Sequence, residues 1–437
     1  MGGTVTIHEY DALVPGHSTG KAEGGTCAVP GAVYEWLEKE CLRAGTAGEA
    51  AWMRFVQRRG RRAVQVTNYV GVIRAGDFQI EVLPKIGKAN QSGNEETRAL
   101  LVRMLSCLPG FRHIPTESAA LRATRMPLLE VFIAEFLETV RVVLKRGMRS
   151  TYVVHEGNLP VLRGKLLLSP HLRHNLVRAD RCYVEHDEFT TDRPENRLLR
   201  AALQSVLPVA ATRSNQQMAR ELLFAMAEVP ASTRFVDDFR KVRLDRGMEA
   251  YESALAWARL ILDQTSPLTA IGAHEAPSLL FPMDAVFEAF VARHLPRQFA
   301  FPLTVKAQVK SKHLVRHLAQ GWFQLKPDLL VLHEGRNLAV LDTKWKLLDG
   351  QKANGTEKYG LSQADFYQLQ AYGQSYLGGA GDVFLIFPKT DAFEHPLPVF
   401  DFSHAGGLRL WVVPFCLRTR RLAVHETSAL GAWRQAG

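Results

Sequence analysis

Two apolar runs separated by a polar, glycine-containing turn constrain the fold of this chain more than any other feature. The runs are residues 329–332 and 338–341, and residues 333–337 lie between them. Apolar segments of this length around such a turn are typical of an antiparallel β-hairpin. Because the second run is apolar at successive positions, both of its faces are expected to be buried, as in a strand inside a sheet.

Charged residues stand at the end of this hairpin, next to the apolar runs. Asp328 precedes the first run, and Asp342, Thr343 and Lys344 follow the second. If the turn is centred at residues 335–336, antiparallel pairing places Asp328 beside Asp342 and Thr343. Side chains alternate along a strand, so Asp342 and Lys344 are expected on the same face.

Two carboxylates and an amine at one end of a hairpin predict a site for a hard divalent cation. Mg²⁺ prefers oxygen ligands and keeps bound water, and Mn²⁺ is a possible substitute. Such a cation acidifies its water and stabilises charge on a phosphate, while Lys344 can orient that water or stabilise the transition state. We therefore predict phosphodiester hydrolysis at Asp328, Asp342 and Lys344. The alternative is structural: a surface ion pair between Asp342 and Lys344, worth at most ~1 kcal/mol.

The composition favours a folded, basic protein of several domains. The 437 residues suffice for two or three domains, and 46% of them are hydrophobic. The formal net charge of +10 attracts polyanions, which makes nucleic acid the leading partner. The basic cluster at residues 58–62 contacts DNA phosphates, contacts an acidic protein surface, or is a solvated turn between strands. No signal peptide, membrane-length apolar run or paired-cysteine motif is recognised, so we predict a cytoplasmic protein.

Changes in the spacing of apolar residues divide the sequence into three predicted domains. Residues 1–95 contain short alternating or β-branched runs, residues 96–262 have mostly helical spacing, and residues 266–437 alternate helix and strand. Residues 263–267, with Ser and Pro, are a predicted linker. The predicted fold class is thus multidomain α+β, with a small β-rich N-terminal domain, a helical middle or stalk, and a C-terminal α/β domain.

Three ordered motifs in the last domain resemble those of the PD-(D/E)xK nuclease superfamily. They are a first-motif helix, the hairpin motif that names the superfamily, and a helix of the QxxxY type found in one branch. The residues in the motif positions are Glu288, Asp328, Asp342, Lys344, Gln368 and Tyr372. The resemblance implies a restriction-endonuclease-like fold for residues 266–437, catalytic roles for these six residues, and a cation bound by Asp328, Asp342 and Thr343.

A closer resemblance is to the McrC family, the nuclease subunits of McrBC-type modification-dependent restriction systems. Outside the nuclease motifs it is carried by residues 81–86 (EVLPKI), 162–166 (LRGKL) and 194–198 (PENRL). It implies a Mg²⁺-dependent DNA endonuclease that acts in 5-methylcytosine-type restriction and so in phage defence. It also implies a partner, a hexameric AAA+ GTPase ring, on which the N-terminal part and stalk dock and whose hydrolysis they stimulate.

Two other functions stay open at this point. The chain could be a stand-alone DNA-repair nuclease of the RecB type, which needs no ring, and co-purification with a ring would discriminate it. It could also be a non-catalytic adaptor on an AAA+ ring, which the intact Asp328, Asp342, Lys344 and Glu288 disfavour. No nucleotide-binding motif is recognised, so no cofactor besides the cation is expected.

Overall fold

The computed structural model describes residues 3–16, 24–46, 52–89, 93–108, 116–124, 126–262, 279–402 and 406–435. These residues form a mixed α/β structure with several sheets. The chain divides into two compact units: unit 1 comprises Met1–Leu128 and Thr265–Gly437, and unit 2 comprises Leu129–Gln264. The predicted linker at residues 263–267 lies outside the described residues. None of the described helices combines the length and the apolar character needed to cross a bilayer.

The first segment of unit 1 is rich in strands, as its alternating apolar residues predict. The strands are β1 (Thr4–His8), β2 (Ala12–Gly16), β3 (Thr26–Pro30), β4 (Met53–Arg58), β5 (Arg61–Val66), β6 (Tyr69–Ala75) and β7 (Phe78–Leu83). The helices are α1 (Gly31–Thr46), α2 (Ile86–Ala89), α3 (Asn94–Leu105) and α4 (Thr116–Ala123). One sheet has the order β3-β2-β5-β4. The basic cluster lies at the exposed turn between β4 and β5, where the Arg62 guanidinium stacks on Phe55, 3.6 Å from the ring centroid.

Unit 2 contains helices and a small sheet. The helices are α5 (Leu128–Arg146), α6 (Leu168–Asn175), α7 (Pro194–Val206), α8 (Arg213–Ala225), α9 (Phe235–Lys241) and α10 (Glu249–Leu262). The strands β8 (Thr151–Leu159), β9 (Lys165–Leu166) and β10 (Cys182–Thr190) form an antiparallel sheet in the order β8-β10-β9. The helical spacing predicts α5, α7 and α10 but misses this sheet. Most of β8 is exposed on both faces, so its sequence lacks the alternation that marks a half-buried strand.

The second segment of unit 1 alternates helix and strand, as predicted. Its strands are β11 (Leu279–Pro282), β12 (Leu303–Ala307), β13 (Lys312–His317), β14 (Gln320–Leu325), β15 (Leu329–His333), β16 (Arg336–Thr343), β17 (Gly381–Pro388), β18 (Phe400–Asp401), β19 (Leu408–Cys416) and β20 (Arg421–Leu422). Its helices are α11 (Met283–His294), α12 (Gln363–Leu377) and α13 (Ala429–Gln435). The main sheet has the order β12-β15-β16-β17-β19-β18, and β20 pairs with β19.

The two segments of unit 1 share a second sheet, with the order β1-β7-β6-β11. Strand β11 pairs antiparallel with β6, and Gly71 faces Leu280. Gly71 has φ 130°, and a Cβ there would overlap the carbonyl oxygen of Leu279, so only glycine permits this approach. This pairing joins the two segments within unit 1. The division into three domains, at residues 1–95, 96–262 and 266–437, stays a prediction.

Two of the segments that carry the family resemblance, residues 81–86 and 194–198, supply buried polar networks. Glu81 is 2% exposed and accepts hydrogen bonds from Arg98 Nε at 2.6 Å and Nη2 at 2.8 Å. In unit 2, Asn196 is fully buried, and its Oδ1 accepts from the Tyr251 hydroxyl at 2.7 Å. Gly164 has φ 73°, and a Cβ there would overlap the backbone of β10. These residues therefore stabilise the fold.

Candidate active site

The predicted hairpin is formed by β15 and β16. Leu329 pairs with Leu341, so Asp328 and Asp342 flank the same end. The turn consists of Glu334 and Gly335, one residue earlier than predicted, and a β-bulge after Val331 shifts the register between the turn and the Asp328 end. Both turn residues have positive φ, 48° and 81°, as a two-residue type I′ turn requires. Strand β16 lies between β15 and β17, which confirms that it is internal.

Asp328 and Thr343 are in direct contact across the hairpin end. The Oδ2 atom of Asp328 accepts hydrogen bonds from the Thr343 amide at 2.7 Å and from its hydroxyl at 2.6 Å. Thr343 is 8% exposed. Strong hydrogen bonds to a carboxylate fix its orientation. Asp328 is thereby held against the strand that carries Asp342.

Asp342 begins a chain of polar contacts that runs to α12. It forms an ion pair with Lys344, whose Nζ lies 2.6 Å from Oδ2. Lys344 Nζ donates to Gln368 Oε1 at 3.1 Å, and Gln368 Nε2 donates to the Tyr372 hydroxyl at 2.8 Å. The Tyr372 hydroxyl donates to the Lys326 carbonyl at 3.1 Å. Gln368 and Tyr372 are one helical turn apart, so a single helix face holds the amine of Lys344.

Glu288 approaches the site from α11 and reaches it through a residue that the sequence did not indicate. Gln308 Nε2 donates to Glu288 Oε1 at 3.0 Å, and the Gln308 amide donates to the Asp328 carbonyl at 2.8 Å. Gln308 has φ 47°, a conformation that is uncommon for residues other than glycine. Gln308 therefore links two candidate catalytic carboxylates, and no motif signal marks it.

The carboxyl groups of the site are shifted toward their neutral forms. Burial, followed by the charge of Asp328, raises the pKa of Asp342 to about 7. Burial also raises the pKa of Asp328, against the hydrogen bonds from Thr343. Burial and the charge of Asp328 raise the pKa of Glu288. Burial lowers the pKa of Lys344, but the charge of Asp342 outweighs it and the net pKa is raised, so the amine stays protonated.

These shifts indicate buried carboxylates whose negative charge Lys344 only partly balances, as expected where a cation binds. Among the described residues no group of three or more His, Cys, Asp or Glu side chains is arranged to hold a metal ion. Mg²⁺ does not need such a cage, because it commonly binds one or two carboxylates and keeps several waters. Asp328 and Asp342, both oxygen donors with raised pKa values, fit that requirement.

A second cluster lies directly after Lys344 and joins the site to the first segment of the chain. Trp345 Nε1 donates to both carboxylate oxygens of Glu9, at 3.0 and 2.9 Å, and the Trp345 carbonyl accepts from Lys85 Nζ at 3.0 Å. Burial raises the pKa of Glu9 to about 7 and lowers the pKa of Lys85. Lys85 belongs to residues 81–86, one of the segments that carry the family resemblance. Nothing in the local sequence around Glu9 or Trp345 indicates that these two residues take part in the cluster.

The model of a protein family matches most of the chain. The McrBC 5-methylcytosine restriction system component matches residues 64–388. The chain belongs to this family. The family prediction made from the motifs is thereby confirmed. No curated protein matches the chain significantly.

Solved McrBC structures contain chains of similar fold. A chain in the refined half-complex from the tetradecameric assembly of Thermococcus gammatolerans McrB AAA+ hexamers with bound McrC has a TM-score of 0.70 and 19% identity, covering 99% of both chains. A chain in the cryo-EM structure of the T. gammatolerans McrBC complex has a TM-score of 0.53 and 21% identity, covering 68% of this chain and 88% of that chain. At these identities the similarity shows a shared fold.

Proposed function

We propose that this McrBC-family chain is the Mg²⁺-dependent DNA endonuclease subunit of a 5-methylcytosine-type restriction system. In this proposal residues 266–437 form a PD-(D/E)xK nuclease, which works in the cytoplasm with a hexameric AAA+ GTPase ring. The observation that carries the proposal is the convergence of Asp328, Asp342 and Lys344 at one end of an internal hairpin. Family membership supports the role in restriction.

The chemistry assigned to the site is hydrolysis of a phosphodiester. Bound Mg²⁺ would supply Lewis-acid stabilisation and an acidified water. Asp328 and Asp342 would hold it, and Thr343 fixes the orientation of Asp328. Protonated Lys344, positioned by Gln368, would donate to the attacking water or to a phosphate oxygen, where negative charge develops.

The AAA+ ring is proposed as the partner on two grounds. First, the fold is shared with chains solved in assemblies of McrB AAA+ hexamers with McrC. Second, the sheet of unit 2 exposes large apolar side chains: Tyr152 is 69% exposed, Val154 60% and Phe189 64%. Exposed apolar patches commonly mark protein interfaces. We propose that this sheet contributes to docking and to stimulation of GTP hydrolysis.

The catalytic part is tested with Asp342→Ala in the full chain, assembled with its ring on methylated DNA. Loss of one carboxylate should abolish Mg²⁺-dependent cleavage and leave ring binding and GTPase stimulation intact. Asp401→Ala is the matched control, because Asp401 is an exposed aspartate on β18 of the same sheet. Cleavage by Asp342→Ala at the wild-type rate would refute the nuclease assignment.

Dependence on the ring separates this proposal from a stand-alone RecB-like repair nuclease. The wild-type chain should cut methylated DNA efficiently only when ring and GTP are present. Efficient cutting of any DNA by the isolated chain, without stimulation by the ring, would favour the stand-alone function.

A further inference from the structure

A two-stranded hairpin beside the candidate site has no part in the chemistry described above. Strands β13 and β14 pair antiparallel around a turn at Leu318 and Ala319. Within the described part of the chain they pair with no third strand. Apart from Leu325, every residue of the two strands is exposed. We call residues 310–325 the basic arm.

The charge of the basic arm is of one sign. No Asp or Glu occurs from residue 289 to residue 327, whereas Lys310, Lys312 and Arg316 lie in the arm. Lys312 and Arg316 are four residues apart on β13, so they share one face. Leu314, which is 52% exposed, lies between them on that face. This surface complements a polyanion.

The base of the basic arm is fixed next to the candidate catalytic residues. The Tyr376 hydroxyl lies 3.3 Å from the Val309 carbonyl and 3.1 Å from the Leu325 carbonyl, to which it donates. On one side the chain enters the arm from Gln308, which bonds to Glu288 and to the Asp328 backbone. The chain leaves the arm at Leu325 and reaches Asp328 three residues later. Isolated two-stranded hairpins are marginally stable, so these anchors determine where the arm lies.

The dimensions of the basic arm fit duplex DNA. Six residues per strand, at ~3.3 Å each, give an arm of about 20 Å. This length corresponds to about six base pairs, and a two-stranded ribbon fits the major groove, which is about 12 Å wide. Trp322 and Phe323 are 47% and 69% exposed, which adds apolar surface for contact with base edges or sugars.

We propose that the basic arm is a DNA-binding ribbon that lies along the duplex beside the scissile phosphate, with Lys312 and Arg316 on backbone phosphates. This inference rests on the proposed function for its choice of DNA as ligand. An acidic protein surface would also be attracted to the arm. DNA is favoured because the arm starts and ends at the residues assigned to phosphodiester chemistry.

The test measures DNA binding by the full chain carrying Lys312→Glu and Arg316→Glu together. The probe is a fluorescent 30-base-pair duplex, with Ca²⁺ in place of Mg²⁺, over a series of salt concentrations. The slope of log K against log salt is negative, and each lost phosphate contact reduces its magnitude by about 0.9. For the arm variant we therefore expect a magnitude smaller by about 2 and an affinity for the duplex at least tenfold lower.

The matched control is Arg336→Glu. Arg336 is an exposed arginine next to the turn of the other hairpin, at the opposite end of β16 from Asp342. The Arg336→Glu variant should bind the duplex with the same affinity and the same salt dependence as the wild type. Equal affinity and slope for the arm variant and the wild type would overturn the proposal. Normal DNA binding by the arm variant together with lost binding to the ring would also overturn it, because the arm would then dock on protein.

The outcomes separate this inference from the proposed nuclease function. If the arm variant loses DNA affinity as expected, yet the wild type never cleaves with Mg²⁺, the nuclease assignment fails and the DNA-binding arm stands. If the wild type cleaves and the arm variant binds and cleaves equally well, the nuclease stands and the arm is wrong.

Discussion

Replacing Asp342 by asparagine is expected to stabilise the metal-free protein. Asp342 is 2% exposed, and its pKa of about 7 compares with about 3.9 in an unfolded chain. At about 1.4 kcal/mol per pKa unit, ionisation above pH 7 lowers the free energy of unfolding by up to about 4 kcal/mol. The buried amide of asparagine must find acceptors, which costs ~1–3 kcal/mol. We expect a net gain of about 1–3 kcal/mol at pH 8.

The gain should depend on pH in a defined direction. A carboxyl group whose pKa is raised by folding binds its proton more tightly in the folded state, so its contribution is favourable at low pH. That contribution is lost as the pH rises from about 4 through the folded pKa of about 7. The advantage of the Asp342→Asn variant should therefore disappear near pH 5 and be full at pH 8. Added Mg²⁺ should stabilise the wild type and not the variant.

Guanidinium unfolding with EDTA at pH 5 and pH 8, followed by tryptophan fluorescence, measures this difference. The matched control is Asp382→Asn on the neighbouring strand β17. Asp382 is fully buried and pairs with Arg409 at 2.8 Å, so its substitution should destabilise the fold. An Asp342→Asn variant that is less stable than the wild type at pH 8, or equally changed at both pH values, would refute the reasoning.

Three further predictions concern the cation, the amine and the fold. Lys344→Ala should lower the cutting rate about 10²–10³-fold while Mg²⁺ still stabilises the protein against unfolding, and a loss of that stabilisation would show that Lys344 is needed for the cation to bind. Ca²⁺ in place of Mg²⁺ should preserve DNA binding and stop cleavage, because the larger ion has looser geometry; rapid cutting in Ca²⁺ would contradict this. Arg98→Met should destabilise the protein by about 3–5 kcal/mol, because Glu81 keeps a buried charge without its partner, and an unchanged unfolding midpoint would exclude that role.

The contacts that the sequence predicts are local ones. The hairpin and the neighbourhood of Asp328 and Asp342 follow from two apolar runs and one turn, and the alignment of Gln368 with Tyr372 follows from helical spacing. The turn lies one residue earlier than predicted, and the register shifts at a bulge after Val331 that no local sequence pattern marks. The catalytic roles of these residues stay predictions.

Contacts between distant parts of the chain could not be predicted. Glu9 and Trp345 are 336 residues apart, and each has an ordinary local sequence. Gln308 enters the site through a left-handed backbone conformation that its local sequence does not specify. The sheet of β8, β9 and β10 is not predicted from the sequence. Alternation of apolar and polar residues reflects burial of one face of a strand, and few residues of this sheet are buried.

The pairing of β11 with β6 has a consequence for synthesis of the chain. The ribosome completes β6 at Ala75 and reaches β11 at Leu279 only about 200 residues later. At ~5–20 residues per second this interval lasts about 10–40 s. Throughout it β6 has an unpaired edge, which is a template for wrong pairing, while the continuous segment of unit 2 can already fold. A nascent-chain complex stalled before residue 279 should therefore expose the β6 edge to chaperones, and one stalled after β11 leaves the exit tunnel should not.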